Sequence, residues 1–285
     1  MQPAILPFIQ PMQHISNLSL IADRYDGYLL DLWGVIHDGS HLYPGVHDTL
    51  VKMSRKGKKI IFVSNAPRRT AKATVVLTEL GIEPELYNYA ITSGELGYQW
   101  LASGKAPWGK RYYYIGPAKD ADILDGLDFK RVDDIKQADF LLNVGFGSDD
   151  ESSEDWRPLF RAARALNLPM LCLNPDFEVV KISGERYPCA GVLADEYARA
   201  GGSVKYFGKP FPEVYEQCLE WFKPIQKQRI LAVGDGITTD IAGAVNFGFD
   251  AALVTGGIIK KDANVEELCR NHDAIPTYIM PAFNW

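Results

Sequence analysis

Cysteine is scarce: Cys172, Cys189, Cys218 and Cys269 are the four in 285 residues, far apart and without a C-x-x-C. That spacing suits neither a disulfide framework nor a structural zinc site, so the thiols read as small buried apolar side chains. Basic runs are missing too. With 30 Lys and Arg against 36 Asp and Glu the net charge is −6, which gives nucleic acid and anionic membranes no electrostatic footprint. No apolar stretch approaches the roughly 18 residues of a membrane span, and the first 16 residues hold prolines and glutamines but no basic segment. A cytosolic protein is expected. G-x-x-x-x-G-K-[ST] and G-x-S-x-G do not occur, and Gly145-Phe146-Gly147 lacks the third glycine of G-x-G-x-x-G because Asp150 stands there. There are no long internal repeats and no low-complexity tract.

What is present is an alternation of short apolar runs with helix-like stretches, the pattern of parallel strands joined by crossover helices. The fold class is α/β. Strands are expected over residues 27–31, 59–63, 89–92, 111–115, 139–144, 170–173 and 229–233. Helices are expected over 70–80, 95–101, 158–166, 193–200, 212–222 and 239–247, with surface loops at 103–110 and 148–155. Tyr112, Tyr113 and Tyr114 suit a strand with one face on a core better than a base-stacking platform.

The polar residues fall where such a sheet binds ligands, beyond the carboxyl ends of its strands. Asp31 ends the first strand, Ser64-Asn65 follow the second, Asp235 tips RILAVGD, and Asp240 lies one turn into the next helix. Gly208-Lys209-Pro210 precedes another helix, where a lysine can reach the same edge. Carboxylates converging without His or Cys form a hard oxygen site of the kind that holds Mg²⁺ beside phosphate oxygens. An aspartate aimed at phosphorus can attack it, and a hydroxyl, backbone amides and an ammonium can offset the transferring charge. Taken singly, Asp31 reads as a turn cap, Ser64 as an N-cap and Lys209 as a solvated lysine. Four such groups at strand tips, in this order, are harder to dismiss.

The chain resembles the haloacid dehalogenase (HAD) superfamily of phosphotransferases, whose four motifs appear in order. Asp31 to Val35 with His37-Asp38-Gly39 resembles the nucleophile motif and its flap, Val63-Ser64-Asn65 the second motif, Gly208-Lys209-Pro210 the third and Gly234 to Asp240 the fourth. The long interval between Ser64 and Lys209 resembles class IIA, with NagD-like and 4-nitrophenylphosphatase-like enzymes. Thr92-Ser93, Leu173-Asn174-Pro175-Asp176 and Gly201-Gly202 match that class as well. The resemblance implies a Rossmann-like parallel-sheet core over residues 17–86 plus 187–285. It also implies an inserted α/β cap of C2 type over 87–186 and an N-terminal arm over 1–16. It assigns Asp31 as nucleophile and Mg²⁺ ligand, the Trp33 backbone carbonyl and Asp235 as further ligands, and Asp240 as holder of a metal-bound water or of Lys209. Ser64, Asn65 and Lys209 would bind phosphate, and Asn174 and Asp176 of the cap would touch substrate. An Asx-Pro turn closing a cap strand is the plainer account of those last two. The substrate would be a small phosphorylated metabolite, a sugar phosphate or nucleotide, and a homo-oligomer through the cap is compatible with the likeness.

One position departs from the family pattern. Phosphatases of the superfamily carry Asp-x-Asp, the second aspartate protonating the leaving group and activating water, whereas this chain has Asp31-Leu32-Trp33. General acid-base help is worth about 10²–10⁴ in rate, so slow turnover is expected. Three readings follow. One is a phosphatase for substrates with good leaving groups, or one that borrows His37 or Asp38 as acid. Another is a phosphate-ligand binding protein that has lost turnover. The third is carbon-halogen hydrolysis, which does without Mg²⁺ and leaves Asp235 and Asp240 unexplained. His14, His41, His47 and His272 are read as surface or core residues without a catalytic part.

Overall fold

The computed structural model describes residues 12–148 and 150–285. Fourteen strands are found among them: Gln13–His14 (β1), Gly27–Asp31 (β2), Lys59–Ser64 (β3), Tyr89–Thr92 (β4), Arg111–Ile115 (β5), Lys130–Val132 (β6), Phe140–Asn143 (β7), Met170–Cys172 (β8), Glu178–Val180 (β9), Arg186–Pro188 (β10), Val204–Tyr206 (β11), Ile230–Gly234 (β12), Asp250–Val254 (β13) and Tyr278–Met280 (β14). Seven form a wholly parallel sheet in the order β1-β14-β13-β12-β2-β3-β4. A second parallel sheet runs β11-β8-β7-β5-β6, and β9 and β10 make an antiparallel hairpin.

Side chains alternate across a strand, so a sheet covered on both faces needs apolar residues at every position. The central strands meet that demand. Tyr28, Leu30, Ile60, Phe62, Leu231 and Val233 pack on one face, with Val46, Leu50 and Met53 of the helix Val46–Arg55. Leu29, Ile61, Val63, Ile230 and Ala232 pack on the other, against Val214, Tyr215, Cys218 and Phe222 of the helix Pro212–Phe222. This second cluster continues through Leu101, Leu173 and Phe207 to Tyr112, Phe140 and Leu142, so one apolar core joins the two sheets.

Sheet membership moves the expected boundaries. Tyr89–Thr92, assigned by sequence to the cap, pairs with β3 in the larger sheet. Val204–Tyr206, assigned to the core, pairs with β8 in the smaller one, and Ala190, Leu193, Ala194 and Tyr197 of the helix Ala190–Arg199 pack with that sheet too. Hydrogen-bond partners decide these memberships. The expected arm covers residues 1–16; its residues 1–11 lie outside the described residues, while Gln13 and His14 pair in parallel with Tyr278 and Ile279. All four cysteines are free and buried.

Candidate active site

Because β12, β2 and β3 are neighbours in a parallel sheet, their carboxyl ends lie side by side. Asp31 is the last residue of β2, Ser64 the last of β3, and Asp235 follows β12. Asp240 comes from the π-helical turn Ile237–Ile241. One carboxylate oxygen from each of Asp31, Asp235 and Asp240 lies within 4.8 Å of the others. Glycine makes that approach feasible. At Gly34, with φ of +87°, a Cβ would fall 1.9 Å from Asp235 Oδ2.

Lys209 reaches this cluster from its loop before the helix Pro212–Phe222. Its ammonium bonds to Asp31, to Asp240 Oδ1 at 2.6 Å and to the Val63 carbonyl at 3.1 Å. The Asn65 amide holds the lysine backbone from both sides: Oδ1 accepts from Lys209 N at 2.7 Å, and Nδ2 donates to Lys209 O at 3.0 Å. At Gly208 a Cβ would stand 2.4 Å from Asn65 Oδ1. Asn65 Nδ2 also donates to Asp176 Oδ1 at 2.8 Å. Every polar atom of the Asn65 side chain thus has a protein partner, and that side chain clamps the Lys209 backbone. Ser64 Oγ accepts from Ala66 N at 3.2 Å, which leaves its proton to donate.

One ammonium among three buried carboxylates leaves excess negative charge. Burial, then repulsion from Asp240, pushes the Asp31 carboxyl well above the usual range despite Lys209 beside it. The same two causes push Asp235 up to about 8. At Lys209 desolvation opposes the charge, but Asp240 and Asp31 outweigh it and hold the ammonium above its ordinary value. Such a set of hard oxygen donors, short of positive charge, fits a divalent cation.

A cavity of about 420 Å³ opens over the cluster and is also lined by Trp33, His37, Asn174, Asp176 and Val180. Asn174 Oδ1 accepts from Asp176 N at 3.0 Å, an Asx turn that aims Asp176 at Asn65. Burial raises the Asp176 carboxyl to about 6.

The two residues considered as substitutes for the missing acid are otherwise engaged. Asp38 is buried, yet its carboxylate accepts from Ser40 N, His41 N and Ile182 N at 2.9, 2.7 and 3.2 Å. Burial pushes its pKa up, but those bonds outweigh burial and hold it below the ordinary value, as an anion. His37 is lowered to about 4 by burial, only partly offset by Asp38, and its Nδ1 accepts from Gly39 N at 2.9 Å. Near neutral pH it is uncharged. The Trp33 indole donates Nε1–H to Val180 O at 2.8 Å.

Sequence reasoning missed several groups here. Arg68 lines the cavity and pairs through Nη2 with Asp120 at 3.3 Å, and Ile258 N donates to Asp235 Oδ2 at 2.7 Å. The second carried a signal in Gly256-Gly257 after an apolar run, since a Cβ at Gly257 would lie 2.0 Å from Asp235 Oδ2.

Comparison with known proteins agrees with this arrangement. The family profile described as haloacid dehalogenase-like hydrolase matches residues 28–130, and a second, HAD-hydrolase-like profile matches residues 206–283. A 4-nitrophenylphosphatase of Schizosaccharomyces pombe is 26% identical over 281 residues, covering 90% of this chain and 91% of that protein. Chronophin of Homo sapiens is 27% identical, with 90% of each chain covered. The crystal structure of a haloacid dehalogenase-like hydrolase from Brucella suis 1330 matches with a TM-score of 0.84 at 32% identity, covering 94% of this chain and 99% of that one. The chain belongs to the haloacid dehalogenase-like hydrolases.

Proposed function

We propose that the protein is a Mg²⁺-dependent phosphohydrolase that takes a small phosphorylated metabolite through an aspartyl-phosphate on Asp31. The observation that carries this reading is the cluster of Asp31, Asp235 and Asp240 at one sheet edge with the Lys209 ammonium among them. Mg²⁺ would be held by Asp31, Asp235 and the Trp33 backbone carbonyl, and would offset the repulsion between a phosphate dianion and the carboxylates. Asp31 attacks phosphorus through one carboxylate oxygen, the bond to the leaving oxygen breaks, and water then cleaves the acyl phosphate to restore the carboxylate. Lys209 and the Ser64 hydroxyl stabilise the equatorial oxygens, and Asn65 keeps Lys209 in place. The four free, buried thiols suit a reducing cytoplasm.

No acid stands where the family has its second aspartate. Trp33 gives its N–H to a carbonyl, Asp38 is an anion, and His37 is neutral. A poor alkoxide therefore departs slowly, while an aryl or acyl phosphate leaves without a proton. A phosphate-binding protein without turnover is the second reading, favoured by that same missing acid. A panel of phosphate esters assayed with and without Mg²⁺, in wild type and Asp31→Asn, separates them. Hydrolysis that needs both Mg²⁺ and Asp31, with aryl esters ahead of alkyl esters, is expected; undiminished hydrolysis in excess EDTA would sink the proposal, and tight binding without turnover would establish the second reading.

A further inference from the structure

The β9–β10 hairpin rests on the active-site loops through three spaced hydrogen bonds. Trp33 Nε1 donates to Val180 O at 2.8 Å, Ile182 N to Asp38 Oδ2 at 3.2 Å, and Arg186 Nη2 to Ile258 O at 3.1 Å. Trp33 and Asp38 belong to the loop after β2, and Ile258 to the loop after β13, so the hairpin spans the entrance between them. Val179, Val180 and Lys181 line the cavity. An isolated two-stranded hairpin is marginal in water, and this one leaves Ile182 53% exposed at its tip. Its position therefore depends on what it is fastened to.

The fastening at Trp33 is built from both sides. Gly39 has φ of +92°, and a Cβ there would stand 2.6 Å from the indole ring, so only glycine lets the ring lie against the flap. The His37 ring meets the indole edge-on at 6.0 Å. The indole is thus aimed at Val180 by the flap.

We propose that Trp33 is a positioning residue: at the site of the absent second aspartate, its indole pins the 178–188 hairpin across the pocket and so sets which leaving groups enter. The specificity half of this assignment rests on the phosphatase reading; the pinning half does not.

The test measures hydrogen exchange of amides 178–188 by mass spectrometry, together with kcat/KM for a small and a bulky aryl phosphate. Trp33→Phe keeps an aromatic ring but removes the N–H. Ile182→Pro removes the other donor and suits its turn, because Gly184 N bonds back to Lys181 O at 2.8 Å and proline is favoured at the position after Lys181. Each variant is expected to speed exchange across the hairpin by roughly fivefold, the effect of losing one hydrogen bond. Each should also narrow the preference between the two esters, with Ile182→Pro turning over the small ester as wild type does. Unchanged exchange in Trp33→Phe would overturn the pinning whatever Ile182→Pro does, and faster exchange with an unchanged preference would overturn the specificity half. A wild-type protein inactive on every ester would remove the specificity half along with the phosphatase reading, while faster exchange in Trp33→Phe would still establish the pin.

Discussion

A single ammonium serves the buried acidic cluster. Lys209→Met keeps a similar stem without the charge, so the carboxylates and the transferring phosphoryl group lose the cation that pairs with Asp31 and Asp240. Turnover is expected to fall by about 10²–10³-fold with the circular dichroism spectrum preserved; near-normal kinetics would leave Gly208-Lys209-Pro210 an accidental match. His37 gives a pH prediction. Its folded pKa of about 4 lies below its ordinary 6.5 because burial disfavours the cation. The unfolded chain therefore takes up this proton first, and the stability tied to neutral His37 is complete above pH 6.5 and lost as pH falls toward 4. The melting temperature of His37→Asn should fall less steeply between pH 7 and pH 5 than that of wild type. Parallel curves would show that His37 titrates normally. At this scale Asp31, Ser64, Lys209 and Asp235 were legible as polar residues ending apolar runs. The Asn65 clamp was not, because its partners Asp176 and Lys209 are 111 and 144 residues away. The engagement of Asp38 was hidden too, since its donors are backbone amides that no residue type announces.

Elements depend on close backbone approaches as much as on apolar faces. The helix Ser93–Ala102 starts against the Pro67-Arg68 loop, where a Cβ at Gly94 would meet Arg68 N at 2.4 Å and Arg68 O at 2.6 Å. Backbone cannot swing aside as a side chain can. Gly94→Ala should cost about 1–3 kcal/mol of stability, read from denaturant unfolding, and should lower phosphatase activity because Arg68 lines the pocket; a variant as stable as wild type would mean that the helix start shifts freely. The strongest apolar runs, such as GYLLD and KIIFVS, announced β2 and β3, since a strand buried on both faces must be apolar throughout. Short elements did not announce themselves. β6 and β11 have three residues each, KRV and VKY, and owe their place to the neighbouring strand rather than to their own composition. The membership of β11 in the smaller sheet was hidden for that reason, whereas β4 was legible as a strand but not as a member of the larger sheet. The helix Val46–Arg55 was passed over although Val46, Leu50 and Met53 keep a helical spacing, because His47, Asp48, Thr49 and Lys52 fill all but one of the positions between them.

At the scale of the whole molecule, the pocket exists only where the two sheets meet. The larger sheet supplies Asp31, Asn65 and Asp235, while Asn174 and Asp176 follow β8 of the smaller one. Asn65 to Asp176 at 2.8 Å, Arg68 to Asp120 at 3.3 Å and Lys72 to Asp122 at 2.6 Å cross between the units above their shared apolar core. The proposed function divides the chemistry on this arrangement: the larger sheet would handle the phosphoryl group, which all substrates share, and the smaller one would face the part that differs between them. Substitution of Asp176 separates this division from a purely structural turn. Asp176→Asn keeps the size of the side chain and an oxygen for the Asn65 bond, but removes a carboxyl that burial raises to about 6. If Asp176 faces the leaving group, kcat/KM across a panel of phosphorylated metabolites should be reordered, with some esters losing about tenfold or more, the equivalent of roughly 1.4 kcal/mol in the transition state. A small generic aryl phosphate, which needs nothing from the smaller sheet, should change little. A uniform loss across the panel would instead mean that the Asp176 carboxylate acts only through its bond to Asn65, so that weakening this bond loosens Lys209 for every substrate alike.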